Sequence, residues 1–410
     1  MKILHSAPLD IEISPRLKYA GTERILFYLN KGLSELGNDS FVMGPGNSDL
    51  GGYGTLISSR KTHLWVSEGK ERKIVRSDEE YEKHYKKCLE FAEKNVDVLH
   101  DHPGQFLISS NTYSNMKNQI SVPIVTTTHE PIAVQEEGIE AQMRQRKKYD
   151  ALMNLQREGR NVFLITLSKS HKREYENVGI KVDGVVYNGV DMSLFPLKET
   201  NQEYLLWLGR LSPIKGTDLA VQIARKINKP LIIAGEVHGP FQDHFKRTIK
   251  PFITKSFNKE NLEKEQNSFL EKILCGERVV EDKDILFFGP VDDKQKKILY
   301  GNAKVLLQPN RWKEPFGLVP VESMACGTPV IVTNTGALPE LVIDGKTGFI
   351  VDAEENGKID DMKIIEGIIN VLDKVDKLKP LDCRMHIEDN FSMKRMTLNY
   401  INFYNRVLTK

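Results

Sequence analysis

The chain has 410 residues, of which 40% are hydrophobic and 28% charged, with a formal net charge of +2. That length allows two or three domains with ample core, and the composition fits a soluble globular protein. The near-neutral balance excludes wholesale nucleic-acid binding, and four cysteines without metal-type spacing, Cys88, Cys275, Cys326 and Cys383, suit a reducing compartment.

Met1-Lys2-Ile3-Leu4-His5 leads straight into a strand expected over 2–7. No long apolar segment marks a secretory signal, and no apolar run reaches the roughly 18 residues that crossing a bilayer requires, so the expected location is the cytoplasm. A loop with Pro8 and Pro15 precedes Tyr19-Ala20-Gly21-Thr22-Glu23, which opens a helix. Ile25, Leu29, Leu33 and Leu36 predict one buried face, and Gly37 a C-terminal cap. A strand–glycine–helix junction of this kind brings backbone N–H groups up to a diphosphate.

Phe41-Val42-Met43 predicts a second strand, whereas residues 50–95 are polar and predict only a loop and at least one exposed helix. Residues 96–100 predict another strand. His100, Asp101 and His102 have metal-ligand chemistry, but no third ligand is evident in the sequence, and a strand end is the preferred reading. Residues 123–128 predict a strand that delivers His129 and Glu130 at its carboxyl end, where ligands of open α/β sheets bind. Between 141 and 160, Arg144, Arg146, Lys147, Lys148, Arg157 and Arg160 alternate with Met143, Tyr149, Leu152 and Leu155. The run reads as the solvated face of a domain helix, with a helix lying on an anionic membrane surface as the alternative. A strand over 162–167, a helix opened by Ser168-Lys169-Ser170 and the segment 185–191 close the first half, and a linker is expected near 191–203.

Tyr204-Leu205-Leu206-Trp207-Leu208 starts a second unit in which strands alternate with helices, the pattern of a parallel sheet. Arg210 ends a strand and Lys215 stands just before a helix expected near Thr217. Two cations and a helix N-terminus on one loop make a diphosphate site. Residues 231–235 predict the next strand, and 236–283 a helical insertion of unassigned purpose. Asp282-Lys283-Asp284 spells D-x-D but precedes the strand at 285–288 instead of following one, so it is not read as a metal site. Gly289-Pro290-Val291 ends that strand.

The densest signal is Glu314-Pro315-Phe316-Gly317-Leu318-Val319-Pro320-Val321-Glu322, followed by Gly327-Thr328-Pro329-Val330-Ile331. It comes after an apolar run, 305–307, that reads as a buried parallel strand. Pro315 disfavours helical geometry at Glu314, and a helix is expected from near Gly317 with Pro320 in its first turn. Eight residues along one regular helix would separate the two carboxylates by roughly 12 Å. The loop between them lets both point into one crevice, with free first-turn N–H groups available to an anionic or hydroxyl-rich ligand. A helix over 336–342, a strand over 347–351 and a last helix from near Ser392 complete the chain.

This stretch resembles the E-x7-E signature of the family 4 retaining nucleotide-sugar glycosyltransferases, and the E-P-F-G-L context and the G-T-P-V-I strand agree as well. The resemblance implies the α/β GT-B fold, two Rossmann-like doubly wound parallel-sheet domains facing across a cleft. Residues 1–190 plus 391–410 would form the acceptor-side domain and 191–390 the nucleotide-sugar-binding domain, with the N-G-V-D turn at 188–191 leading to the linker. The implied reaction moves a hexose from a nucleoside diphosphate sugar, UDP-glucose in preference to GDP-mannose, to an acceptor hydroxyl. It proceeds with retention and needs neither metal nor cofactor.

By the same resemblance Arg210 and Lys215 of G-R-L-x-x-x-K-G bind the diphosphate, joined by the amide of Gly21. The A-G-T-E here departs from the family's G-G-x-E by having Ala20 at the first glycine. His129 contacts the donor sugar and Glu314 holds its hydroxyls. The amides of Phe316, Gly317 and Leu318 also contact it, Glu322 takes the ribose hydroxyls, and Pro290 and Val291 lie beside the base. The acceptor is unidentified: a small molecule, a glycan or a lipid-linked sugar. Two rivals stay open, a sugar-nucleotide epimerase of the same fold and a non-catalytic nucleotide-sugar-binding subunit.

Overall fold

The computed structural model describes residues 1–17, 21–68, 71–74, 78–103, 107–132, 139–197 and 202–409. Tyr19 and Ala20 of the A-G-T-E opening lie outside them, as do residues 198–201 of the expected linker. The chain divides into two compact units, Met1–Gly189 together with Met393–Lys410, and Val190–Ser392.

In the first unit, β1 (Lys2–Ser6), β2 (Asp39–Pro45) and β3 (Thr55–Arg60) run outward in one direction. A small antiparallel hairpin follows, β4 (Trp65–Glu68) with β5 (Glu71–Ile74). The chain then returns to the other side of β1 with β6 (Val98–Asp101), β7 (Ile124–Thr127), β8 (Val162–Thr166) and β9 (Gly184–Val185). The sheet order is β3-β2-β1-β6-β7-β8-β9, parallel throughout. Parallel strands are covered on both faces and favour apolar runs; β8 is one, whereas β6 and β7 open with two apolar residues and end in buried polar ones, His100, Asp101, Thr126 and Thr127. The winding reverses between β1 and β6, and at such a switch point the strand ends leave a crevice for ligands.

The Gly21–Glu35 helix packs on this sheet through Ile25, Leu29 and Leu33. Leu36, expected on the same face, is instead 39% exposed. The helix ends at Glu35, and Gly37, at φ 74°, turns the chain away two residues later. Residues 50–95 hold more than the expected loop and helix: they form β3, the hairpin and the Asp78–Asn95 helix. Their polarity hid them, because β3 is an edge strand with no fully buried residue. The basic Ile139–Arg157 helix turns Leu152 and Leu155 into the core and leaves Met143 exposed, so its described apolar side faces protein. Arg144 falls among side chains outside the description. Among the described residues, no helix is long and apolar enough to cross a membrane.

The final helix, Met393–Leu408, belongs to this first unit. Met396, Tyr400, Phe403, Tyr404 and Val407 recur at helical spacing and are all buried. Its approach to the Gly21–Glu35 helix is close: a Cβ on Gly32 would stand 2.1 Å from Thr397 Oγ1.

The second unit repeats the plan with β10 (Leu205–Leu208), β11 (Leu231–Ala234), β12 (Lys255–Ser256), β13 (Ile285–Gly289), β14 (Val305–Gln308), β15 (Val330–Thr333) and β16 (Gly348–Val351). The order is β12-β13-β11-β10-β14-β15-β16, again all parallel. Its switch point lies between β10 and β14. The insertion at 236–283 contributes the helices Gln242–Thr248 and Leu262–Leu274 and the edge strand β12. The helix expected over 336–342 shortens to Leu338–Leu341.

Candidate functional site

The loops that leave β10 and β14 meet at the second unit's switch point. After β10, a 3-10 turn at Pro213–Lys215 ends in Gly216, at φ 67°. A Cβ there would lie 2.0 Å from the carbonyl oxygen of Pro309, so only glycine lets the two loops touch. Trp207 Nε1 donates to the Lys215 carbonyl at 3.2 Å and fixes the backbone from which the lysine projects.

Lys215 Nζ forms an ion pair with Glu314 Oε2. Asn310 Nδ2 and Trp312 Nε1 donate to the same oxygen at 3.1 and 2.9 Å, and the ammonium stands 4.5 Å from the Trp312 ring centroid. The backbone of Glu314 is held too, since Ala337 N–H donates to its carbonyl at 2.8 Å. Gly336, at φ 57°, makes that approach possible: a Cβ on it would come within 2.3 Å of the Glu314 nitrogen.

Arg311 clamps the two loops. Its guanidinium bonds Asp218 at 2.6 and 2.9 Å, Asp361 at 2.7 and 2.9 Å, and the Pro213 carbonyl at 2.6 Å. Partial burial works against its charge, but the two carboxylates outweigh it and raise the pKa further. Arg210 is half-buried, with its guanidinium 5.8 Å from the Phe241 ring centroid.

The Leu318–Ala325 helix starts from Gly317, at φ 110°, with no side chain capping its first turn. Pro320 falls within that turn, where a missing N–H costs nothing. Phe316 is buried with its ring 6.0 Å from that of Phe391. Glu322 is 1% exposed and accepts from Tyr300 OH at 3.0 Å and Lys296 Nζ at 3.3 Å. Burial first, and then the Glu322 charge, hold the Tyr300 phenol well above its ordinary pKa. Lys296 and Tyr300 lie one turn apart on the Asp293–Asn302 helix, whose capping box is Asp292 with Gln295. Pro290 and Val291 stand immediately before that cap. Gln266 of the insertion donates to the carbonyls of Phe288 at 2.7 Å and Pro290 at 3.1 Å and so fixes this turn.

Of the sequence-derived candidates in this unit, the fold puts Lys215 against Glu314, with Arg210 and Phe316–Leu318 on the same two loops. Glu322 has a polar set of its own. Sequence reasoning missed Asn310, Arg311 and Trp312, although a polar and aromatic triplet straight after a buried strand was a usable signal. Lys296 and Tyr300 gave only helical spacing. The D-x-D acids are tied up in ion pairs, Asp282 with Arg278 and Asp284 with Lys255.

Gly21 and His129 belong to the other unit. A Cβ on Gly21 would meet nothing within 4 Å, so packing within the protein does not demand glycine there. His129 follows β7, and its Nε2 is buried without a partner. Burial, with His171 nearby, pushes its imidazole down to about 3. His5, on the neighbouring strand β1, joins His100 and His102 in a group of ring nitrogens within 4.8 Å of one another. Register between strands brought it there, which spacing within one segment does not reveal.

The model of the glycosyl transferases group 1 matches residues 194–379. An uncharacterized 41.2 kDa protein of the cps region of Klebsiella pneumoniae is 33% identical over 30% of this chain and 33% of its own length. The D-inositol 3-phosphate glycosyltransferase of Mycolicibacterium smegmatis is 25% identical over 64% of this chain and 57% of its own length. The chain thus spans between a third and three fifths of these curated relatives. Among solved structures, Anabaena Alr3699/HepE in complex with UDP and glucose aligns with a TM-score of 0.67, covering 99% of this chain and 100% of that one at 16% identity. That likeness speaks for the fold, which is GT-B.

Proposed function

We propose that this chain, whose residues 194–379 belong to the glycosyl transferases group 1, moves a hexose from a nucleoside diphosphate sugar to an acceptor hydroxyl with retention at the anomeric carbon. The observation that carries this is the Lys215–Glu314 pair at the switch point between β10 and β14, beside an uncapped helix N-terminus. Lys215 keeps two N–H donors beyond the one given to Glu314, and with Arg210 it faces the charge that grows on the departing diphosphate. Glu314 Oε2 takes all three donors, so Oε1 is left for sugar hydroxyls. The amides of Phe316, Gly317 and Leu318 supply further contacts, Glu322 accepts from the ribose hydroxyls, and Pro290 and Val291 flank the base.

The bond from the anomeric carbon to the phosphate oxygen breaks as the acceptor oxygen approaches from the same face. The acceptor proton passes to that phosphate oxygen, leaving a nucleoside diphosphate and a glycoside, and the step balances without a metal. Unit 2 is the donor side and unit 1 the acceptor side. The free Nε2 of His129 suits a donor sugar hydroxyl, and the open space at Gly21 suits a phosphate. UDP-glucose is the preferred donor, in keeping with the UDP and glucose bound to Alr3699/HepE.

A panel of UDP-, GDP- and ADP-sugars, followed by melting temperature and by slow donor hydrolysis, tests this. Donor at 100 times its Kd adds about 2.7 kcal/mol. Lys215→Ala is expected to slow transfer by about 10²–10³-fold with little change in donor affinity, whereas Glu322→Ala weakens nucleotide binding. Absence of binding by every nucleotide sugar would sink the proposal. Conversion of the sugar with no acceptor present would replace it with epimerisation.

A further inference from the structure

We infer that the first unit holds a site for a divalent transition-metal ion of the zinc class, formed by His5, His100 and His102. His5 on β1 and His100 on β6 are direct partners in register across the switch point of this sheet. His102, two residues beyond His100, returns to the same side of the extended chain. All three are buried, and one ligand nitrogen from each lies within 4.8 Å of the others.

Zinc–nitrogen bonds of 2.0–2.1 Å at tetrahedral angles place ligand nitrogens roughly 3.3 Å apart. His5 Nδ1 and His102 Nε2 stand 3.0 Å apart, close to that spacing.

His100 is braced for the role. Its Nδ1 lies 2.6 Å from Tyr404 OH and its Nε2 2.8 Å from Thr127 Oγ1. Thr127 also meets Tyr400 OH at 3.2 Å, so its hydroxyl keeps a partner if His100 turns toward an ion. The Tyr404 contact then orients the ring from behind, as the outer partners of metal-bound histidines do.

Three imidazoles suit Zn²⁺ or Co²⁺, and not Mg²⁺ or Ca²⁺, which prefer oxygen. The His129 ring stacks on His102 at 6.1 Å between centroids and stays outside the set. The bound ion would clip β1 to β6. The inference does not depend on the transferase proposal, because none of the three histidines is among the donor contacts.

The test uses the full chain without a histidine tag, stripped with a chelator and titrated with Co²⁺ and then Zn²⁺. Visible absorption reports the Co²⁺ environment, and metal analysis after dialysis reports the stoichiometry. The expected result is uptake of one equivalent, visible Co²⁺ bands bleached by Zn²⁺, and loss of both in His102→Ala. Should His102→Ala fail to fold, Tyr404→Phe decides, with an expected loss of about 10–100-fold in metal affinity. Absence of stoichiometric uptake by the unaltered chain overturns the inference. Undiminished affinity in the deciding variant does the same, and leaves the histidines as a hydrogen-bonded core cluster.

Discussion

Glu23, in the first turn of the Gly21–Glu35 helix, is only 6% exposed, and burial lifts its carboxyl pKa to about 7, with Asp10 and Glu12 adding like charge. The native state then holds this proton more tightly than the unfolded chain, whose carboxyl titrates near 4.5. Between those values the folded form binds more protons, so stability falls as pH rises from about 4.5 to about 7 and stays lower above it. The effect is at most about 3 kcal/mol at 1.36 kcal/mol per unit. Glu23→Gln removes it, so the variant should gain on the parent in melting temperature as pH climbs through that window. A difference that does not change with pH would mean the carboxyl is not desolvated. Two residues earlier, Gly21→Ala has room for its methyl and should stabilise the fold by about 0.4–1 kcal/mol, by restricting the unfolded chain. If a phosphate approaches that amide, the same variant binds donor more weakly in a titration; unchanged affinity would remove Gly21 from the site. Glycine at this junction was legible in the sequence, as were Lys215 and Glu314, because each sits between a strand and a helix; Glu322, inside its helix, was singled out only by its spacing from Glu314. His5 was not, because it reaches His100 only through the pairing of β1 with β6, ninety-five positions apart in sequence.

Among the elements, the buried parallel strands could be read directly, since β10, β11 and β14 are short apolar runs that no amphipathic helix would contain. The edge strands could not. β3 is polar and half-exposed, and β12 is a lysine and a serine whose strand character comes from pairing with β13. The loop after β14 was legible for its glutamate and not for its rigidity, because the Arg311 clamp depends on Asp218 and Asp361, acids distant in sequence. Removing the guanidinium leaves the largely buried Asp218 uncompensated. Arg311→Ala should therefore cost roughly 3 kcal/mol, seen as an earlier urea midpoint, and loosen the loop that aims Glu314. Arg311→Lys keeps the charge but loses the planar fork, so it should recover only part of that stability. If the lysine variant matched the parent in both stability and turnover, charge alone would hold the loop and the bidentate geometry would be incidental.

At the level of the whole chain, each unit has its own parallel sheet, but only the second is built from one continuous segment. The first depends on Met393–Lys410, which follow the second unit in sequence. Tyr400 and Tyr404 of that terminal helix are fully buried, and Met396, Phe403 and Val407 nearly so. Fully burying one such side chain is worth about 1.5–3 kcal/mol, and a domain's net stability is only about 5–15 kcal/mol. Five of them together rival the whole margin, before counting the His100–Tyr404 hydrogen bond that the helix also supplies. Val190–Ser392 owes none of its core cluster to that helix, since residues such as Leu205, Trp207, Ile233, Val305 and Ile364 all lie within the segment. A chain ending at Ser392 is thus expected to lose the first unit and keep the second. Hydrogen exchange should find β1, β6 and β7 unprotected and β10, β11 and β14 still slow. UDP should still bind, because the proposed ribose and base contacts at Glu322, Pro290 and Val291 lie within the surviving segment, whereas sugar transfer should cease. Retained protection in β1 and β6 would show that the sheet of the first unit stands without its last helix, and that the burial of Tyr400 and Tyr404 is worth far less than their enclosed area implies.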